Sequence, residues 1–186
     1  MLNETLKAIG QRASCKGYAA TLPKRETLEA IALAAAQSPS AVNLQPWKII
    51  VVTDRELILE IEKQTVERMA TTPGYEKFYE MVTSTGMDMS HNAPCMLILA
   101  IDGKNQYAQY DCGIAAQSVC IAAQSLGVAS HIVAINALAF DGEKGAALRE
   151  RLQFPEGYVF GLGILLGYAT QKDQPHEPCS DKIVFV

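Results

Sequence analysis

Residues 106–126 read QYAQYDCGIAAQSVCIAAQSL. The run is long enough for about six helical turns. Ile114, Ala115, Ala116, Val119, Ile121, Ala122, Ala123 and Leu126 leave it apolar or small nearly all round. A helix without a polar face is buried on every side. In a chain of 186 residues that burial favours a dimer interface. Gly127 is a C-terminal stop for the helix.

Working outward, the β-rich run Cys95–Ile101 precedes this helix and a strand near His131–Ile135 follows it. A helix around Glu143–Leu152 and a strand near Val159–Gly167 come next. Gly161-x-Gly163 inside that apolar strand reads as a packing feature. Upstream, Asn3 caps a first helix with Leu6 and Ile9 on one face, ended or loosened by Gly10. A polar stretch, Arg12–Tyr18, leads through Pro23 to a second helix. Leu28, Ile31, Ala32 and Ala35 recur there at helical spacing, with Glu26 and Glu29 in its early turns. It stops at Ser38-Pro39-Ser40. Lys48–Thr53 is a short β-branched run of buried-strand type. Asp54 caps a third helix carrying Leu57, Leu59, Ile61 and Val66. Residues 70–90 hold Pro73, Gly74, Gly86, Met81, Met87 and Met89. They read as an irregular or partly helical excursion, either peripheral core or a lid over a pocket. The tail Lys182-Ile183-Val184-Phe185-Val186 alternates like a strand that needs a sheet, its own or a partner's. Helices outnumber strands and no repeat or linker interrupts the chain. The expected fold is α+β: one domain over residues 1–186, with a central, mainly antiparallel sheet flanked by helices.

Composition narrows the function. Hydrophobic residues make up 49% and charged residues 19%, with a net charge of −4. Nucleic acid is not an expected partner, because phosphate neutralisation needs clustered cations. The cysteines are odd in number, five, and form no CxxC pair, which argues against zinc and against a disulfide framework. Apolar settings for Cys95, Cys112 and Cys120 read as buried thiols in a reducing cytoplasm. The first residues show no signal-peptide pattern, and no apolar run suits a membrane span.

Several catalytic motifs are missing. There is no GxGxxG after a strand, no GxxxxGK[ST] and no GxSxG. His91, His131 and His176 lack metal spacing. Two segments remain. Arg12-Ala13-Ser14-Cys15-Lys16 places a guanidinium, a hydroxyl and an ammonium on one bend, a set able to grip a phosphate or simply to meet water. Ser38-Pro39-Ser40-Ala41-Val42-Asn43-Leu44-Gln45-Pro46-Trp47 contains two prolines and the only tryptophan. Prolines stiffen its path, and the amides of Asn43 and Gln45 can read the edge of a heteroaromatic ring. A helix stop followed by a turn that buries Trp47 also accounts for it.

Together the two segments resemble the nitroreductase family in content, order and spacing. That family opens with R-x-S-x-[RK], matched by Arg12–Lys16, and continues to P-S-x-x-N-x-Q-P-W, matched by Pro39–Trp47. Asn92-Ala93-Pro94 before a strand, Asp111-x-Gly113-x-Ala115-x-Gln117 in the long helix, and Pro155-x-Gly157-Tyr158 with Leu166-Gly167-Tyr168 are similar to further family blocks. The resemblance implies an intertwined homodimer holding non-covalent FMN in two sites at its interface. By motif position Arg12, Ala13 and Ser14 would lie at the phosphate and ribityl chain. Lys16 would reach the N1–C2=O edge and stabilise negative charge there. Pro39, Ser40, Ala41, Asn43 and Gln45 of the other subunit would complete the pocket. Ile132, Val133 and Ala134 would pass beside the ring and offer a backbone N–H to N5. Relatives often carry a second cation where Ala13 stands, and another near the C-terminus, where this chain offers His176 and Lys182. The glutamate-glycine pair of one subgroup is missing.

The implied activity is FMN-dependent oxidoreduction. Hydride from NADH or NADPH would pass through flavin N5 to an electron-poor acceptor such as a nitroaromatic or quinone, by a ping-pong scheme, with no protein nucleophile and no metal. Same-fold flavin enzymes with another reaction (dehydrogenase, dehalogenase or flavin-fragmenting) and a non-catalytic dimeric flavin-binding protein are the alternatives.

Overall fold

The computed structural model describes residues 3–186. Four strands form one sheet: β1 (Trp47–Val52), β2 (Cys95–Asp102), β3 (Ala129–Val133) and β4 (Tyr158–Gly167). Their order is β1-β2-β4-β3, and every neighbouring pair is antiparallel. The six α-helices are α1 (Glu4–Gln11), α2 (Arg25–Ala36), α3 (Arg55–Met69), α4 (Glu76–Thr85), α5 (Ala108–Ser125) and α6 (Gly142–Arg151).

Why the sheet is central can be read off β2. Successive side chains point to opposite faces of a strand. Cys95, Leu97, Leu99 and Ile101 join α5 and α2 in one core, while Met96 and Ile98 join α3 residues Leu57, Ile58 and Ile61 and α6 residue Leu148 in another. Both faces of β2 are therefore covered, which is why its sequence is an unbroken apolar run rather than an alternation. Small residues on α5 let it lie close to the sheet. Between Leu99 and Ala100 the β2–β4 register slips, leaving Gly161 as the extra residue of β4. A Cβ at Gly161 would lie 2.7 Å from Cys112 Sγ and 2.8 Å from the Leu99 carbonyl oxygen. The glycine is what allows α5 to approach this bulge, as the packing reading of the Gly-x-Gly pair anticipates.

The helix starts follow their caps. Asn3 Oδ1 accepts the Leu6 N–H at 2.9 Å, and Asp54 Oδ1 accepts those of Glu56 and Leu57 at 2.9 and 3.3 Å. Gly127, with φ +70°, follows the end of α5.

The structure departs from expectation or chooses between its alternatives at five places. Ala8 is the buried residue of α1, whereas Leu6 and Ile9 are exposed and Gly10 sits inside the helix. β1 is an edge strand, half open to solvent, because only β2 pairs with it. Residues 70–90 contain the regular helix α4, which builds a small separate cluster from Met69, Val82 and Met89; this is the peripheral-core arrangement. The tail is not a strand: a 3-10 turn, Ser180–Lys182, is followed by Ile183, Val184, Phe185 and Val186, all exposed. α5 is buried along Ala108, Cys112, Ala115, Ala116, Val119 and Ala123, yet Tyr110 and Ile114 are exposed.

Candidate functional site

The bend Arg12–Tyr18 is pinned along the outer edge of β3. The Cys15 N–H donates to the Ser130 carbonyl at 3.0 Å, and a bridge joins Ser14 to Ser130. At its far end the Tyr18 N–H donates to the His91 carbonyl, the Ala19 N–H to the Tyr168 carbonyl, and the Tyr18 hydroxyl to the Leu165 carbonyl at 3.3 Å. Two residues point inward and make the bend rigid. Cys15 and Tyr18 are buried, and burial pushes both the thiol and the phenol up from their ordinary values. The others face outward: Ser14 and Lys16 are exposed and Arg12 is half-buried. Neither cation is in an ion pair with a described residue. A backbone held by its buried members thus presents a guanidinium, a hydroxyl and an ammonium to whatever lies outside.

Asp173, from the segment after β4, accepts the Lys16 N–H at 3.1 Å. Burial acts against its charge, but hydrogen bonds from Gln171 and the Lys16 N–H hold its carboxyl below the usual range. Sequence reasoning missed Asp173, which carries no spacing signal. The C-terminal residues it did name, His176 and Lys182, are exposed and make no side-chain hydrogen bond to a described residue.

The amide segment lies elsewhere. Pro39 follows α2, and a 3-10 turn, Ala41–Asn43, leads through Gln45 and buried Pro46 into β1. Its backbone is unusual: Val42, Asn43 and Gln45 have φ of 51°, 57° and 48°. Left-handed backbone is costly for a β-branched residue and persists only where neighbours impose it. Asp111, buried in the first turn of α5, imposes it here by accepting the Ala41 N–H at 3.1 and 3.3 Å. Ser40 Oγ accepts the Gln45 N–H at 2.9 Å, and Ser38 Oγ meets Ser118 Oγ at 2.8 Å. Gln45 donates to Asn43 Oδ1 at 3.2 Å, and both side chains are exposed. A buried aspartate in an otherwise apolar helix was the signal for Asp111's role.

The structure therefore brings Arg12, Ala13, Ser14 and Lys16 together with β3, where Ile132 and Val133 are half-buried and Ala134 is exposed just beyond the strand. It does not bring Pro39, Ser40, Ala41, Asn43 and Gln45 to them within one chain. The two groups lie toward opposite edges of the sheet: β1 and β3 are three strand intervals, about 14 Å, apart, and the bend lies beyond β3. A hollow of about 450 Å³ between α2 and β1, lined by Leu28, Ala32 and Val51, touches neither group. No described cluster of His, Cys, Asp and Glu suits a metal, and no described helix is long and apolar enough to cross a membrane.

A four-stranded antiparallel sheet with helices on both faces, an outward-facing cationic bend and a strained amide segment define the class. The nitroreductase family model matches residues 9–168. The chain belongs to the nitroreductase family and is an oxidoreductase. A protein of Archaeoglobus fulgidus provisionally named NADH dehydrogenase/NAD(P)H nitroreductase is 30% identical over 181 residues, covering 95% of this chain and 91% of its own. A nitroreductase of Desulfitobacterium hafniense, solved with bound FMN, is 40% identical with a TM-score of 0.94 over the whole of both chains. Another FMN-bound nitroreductase, from Bacteroides fragilis, is 23% identical with a TM-score of 0.88 over both whole chains, which shows the shared fold.

Proposed function

We propose that this chain is an FMN-dependent, NAD(P)H-using oxidoreductase whose flavin sites are shared between two copies, each copy acting as one domain over residues 1–186. The observation that carries the reading is the bend, with unpaired Arg12 and Lys16 and exposed Ser14 on a rigid backbone. That donor set fits a phosphate ester joined to a polar chain and a ring with a hydrogen-bonding edge. The FMN held by the 40%-identical relative supports the choice of ligand, and the name of the Archaeoglobus relative supports a nicotinamide reductant.

FMN held there would supply hydride-transfer chemistry between a nicotinamide and an electron-poor acceptor, the two taken in turn in ping-pong order. The chain's own residues bind and orient. Arg12 and Ser14 hold the phosphate end, with Ala13 beside them. Lys16 would place positive charge at the N1–C2=O edge of the ring and so favour the reduced, anionic flavin. Ile132, Val133 and Ala134 flank the ring. Pro39, Ser40, Ala41, Asn43 and Gln45 come from the second copy, since one chain holds them at the opposite edge of its sheet. The scheme needs no metal and no protein nucleophile.

A homodimer is supported by the apolar surface that one chain leaves open. Val42, Leu44, Tyr110, Ile114, Leu126 and the tail are exposed, apolar surface that a second copy would cover. The free edge of β1 and the unpaired alternating tail offer complementary groups to a second copy.

The test is an absorbance spectrum of the purified protein with FMN, followed by anaerobic addition of NADH or NADPH. Flavin uptake and rapid bleaching of the oxidised band are expected. A protein that takes up no FMN, or holds it without reduction by either nicotinamide, overturns the reading.

A further inference from the structure

Two histidines that the flavin reading does not use hold the bend. His131 stands in β3 beside Ser130, and its Nδ1 lies 3.0 Å from the Cys15 carbonyl oxygen. A carbonyl can only accept, so Nδ1 carries the proton and donates. That bond ties down the peptide between Cys15 and Lys16. The ring of His91 lies flat on His131, with centroids 5.2 Å apart and planes 11° from parallel. The main chain around His91 grips the other end of the bend. Its carbonyl accepts the Tyr18 N–H at 3.1 Å, and Asn92 Nδ2 donates to the Tyr18 carbonyl at 3.3 Å.

The turn that delivers His91 is itself built. His91 and Asn92 have φ of 50° and 62°, a conformation that needs outside support. Asp88 supplies it, accepting the Ser90 and Asn92 N–H groups at 2.9 and 2.6 Å as well as the Ser90 hydroxyl. Arg55 of α3 pairs with Asp88 at 3.5 Å and donates to Ser90 Oγ at 2.8 Å and the Ala93 carbonyl at 3.2 Å.

We propose that His131 and His91 are positioning residues: a stacked imidazole pair that fixes the Cys15–Lys16 peptide and so aims the cationic face of the bend. Several groups face the pair. Lys16 and Cys15 come from the bend, Asp88 from the turn, and Asp173 from the segment after β4. Burial is the largest influence and lowers both imidazoles from their ordinary value. Lys16 acts the same way on both, and His91 does so on His131. Asp88 and Asp173 oppose this at His91, as the Cys15 carbonyl and Asp173 do at His131, without reversing it. Because the folded values lie below the ordinary one, the pair's contribution is complete above about pH 6.5 and is lost as the pH falls below it. Protonation leaves the His131 Nδ1–H in place to donate to the Cys15 carbonyl; what it breaks is the stack, because like charges then face each other beside the Lys16 ammonium and push the His91 turn, with its hold on the Tyr18 N–H, off the bend.

The functional half of this proposal rests on the bend holding flavin, so the experiment has a readout that does not. Amide exchange at the Cys15 and Tyr18 N–H groups, corrected for intrinsic rates, and FMN retention are followed from about pH 7.5 to about pH 5.5. Protection should fall about fivefold or more toward acid, the scale of one lost hydrogen bond, with retention falling alongside. His91→Phe keeps an aromatic face but takes up no proton, and should flatten both profiles. His131→Gln can still donate to the Cys15 carbonyl and should protect the Cys15 N–H better than His131→Ala. An acid loss in His91→Phe equal to that of the unaltered protein overturns the proposal, as does equal protection in the two His131 variants. If exchange follows the expected pattern while no FMN is taken up, the pair's role stands and the flavin reading falls. If FMN is held and exchange is flat with pH, the flavin reading stands and the pair's role falls.

Discussion

Lys16 and Cys15 are neighbours in sequence with opposite fates, and the difference makes the bend work. The thiol is buried and donates to the Gly17 carbonyl at 3.2 Å, while the ammonium is exposed. One anchors and the other is free to meet a ligand. Lys16→Ala should therefore leave the fold intact and weaken FMN retention or slow flavin reduction by about tenfold, the effect of one charge-assisted contact. Equal loading and equal reduction rate would remove Lys16 from the site. Asp111 tests the other segment. Asp111→Ala leaves the Ala41 N–H without its carboxylate and a void in the α5 packing. Denaturant unfolding should show a loss of about 2 kcal/mol, and a change within a few tenths would mean that the strained 41–45 turn holds itself.

Elements differ in how plainly their sequences declare them. β2 was legible because both its faces are buried, so that nearly every residue is constrained to be apolar, and α5 because its packed face is apolar or small, although Tyr110 and Ile114 stay exposed in one chain. β1 carries the same β-branched signal, but pairing on one side leaves it half open. No local pattern tells an edge strand from a central one when the difference lies in which neighbour is absent. α1 misled for a related reason: its face of Leu6 and Ile9 is apolar but uncovered within one chain. Gly161 belongs at this scale, because it decides how closely α5 packs on β4. Gly161→Ala places a methyl against Cys112 Sγ and the Leu99 carbonyl. It should cost about 1–3 kcal/mol as overpacking, read as a lowered urea midpoint. An unchanged midpoint would show that the bulge relaxes freely.

For the whole molecule, the decisive fact is that the cationic bend and the amide segment attach to opposite edges of one sheet. The proposed flavin site, which uses both, would draw them from two chains. The mass in solution should be near twice 20.2 kDa, and a stable monomer that binds FMN would contradict the shared site. Subunit mixing tests sharing directly. Lys16→Ala and Asn43→Ala proteins, each impaired alone, should recover about a quarter of the normal sites when unfolded and refolded together, because a mixed dimer carries one intact site of its two. No recovery despite verified exchange would place both segments in one subunit's site.

From sequence alone came α1, α2, α3, α5, α6 and the four sheet strands, the α+β class and the two segments with chemistry in them, because composition and spacing record what each residue must pack against or expose; α4 as a regular helix and the open tail did not. The tertiary structure alone decided which carbonyls the bend leans on, that Asp173 caps the Lys16 N–H, that His91 stacks on His131, and that Asp111 strains the 41–45 turn. These contacts join residues from 40 to 157 positions apart. A hydrogen bond or a ring stack leaves no periodic mark on the chain, so only the folded backbone brings its two ends into view.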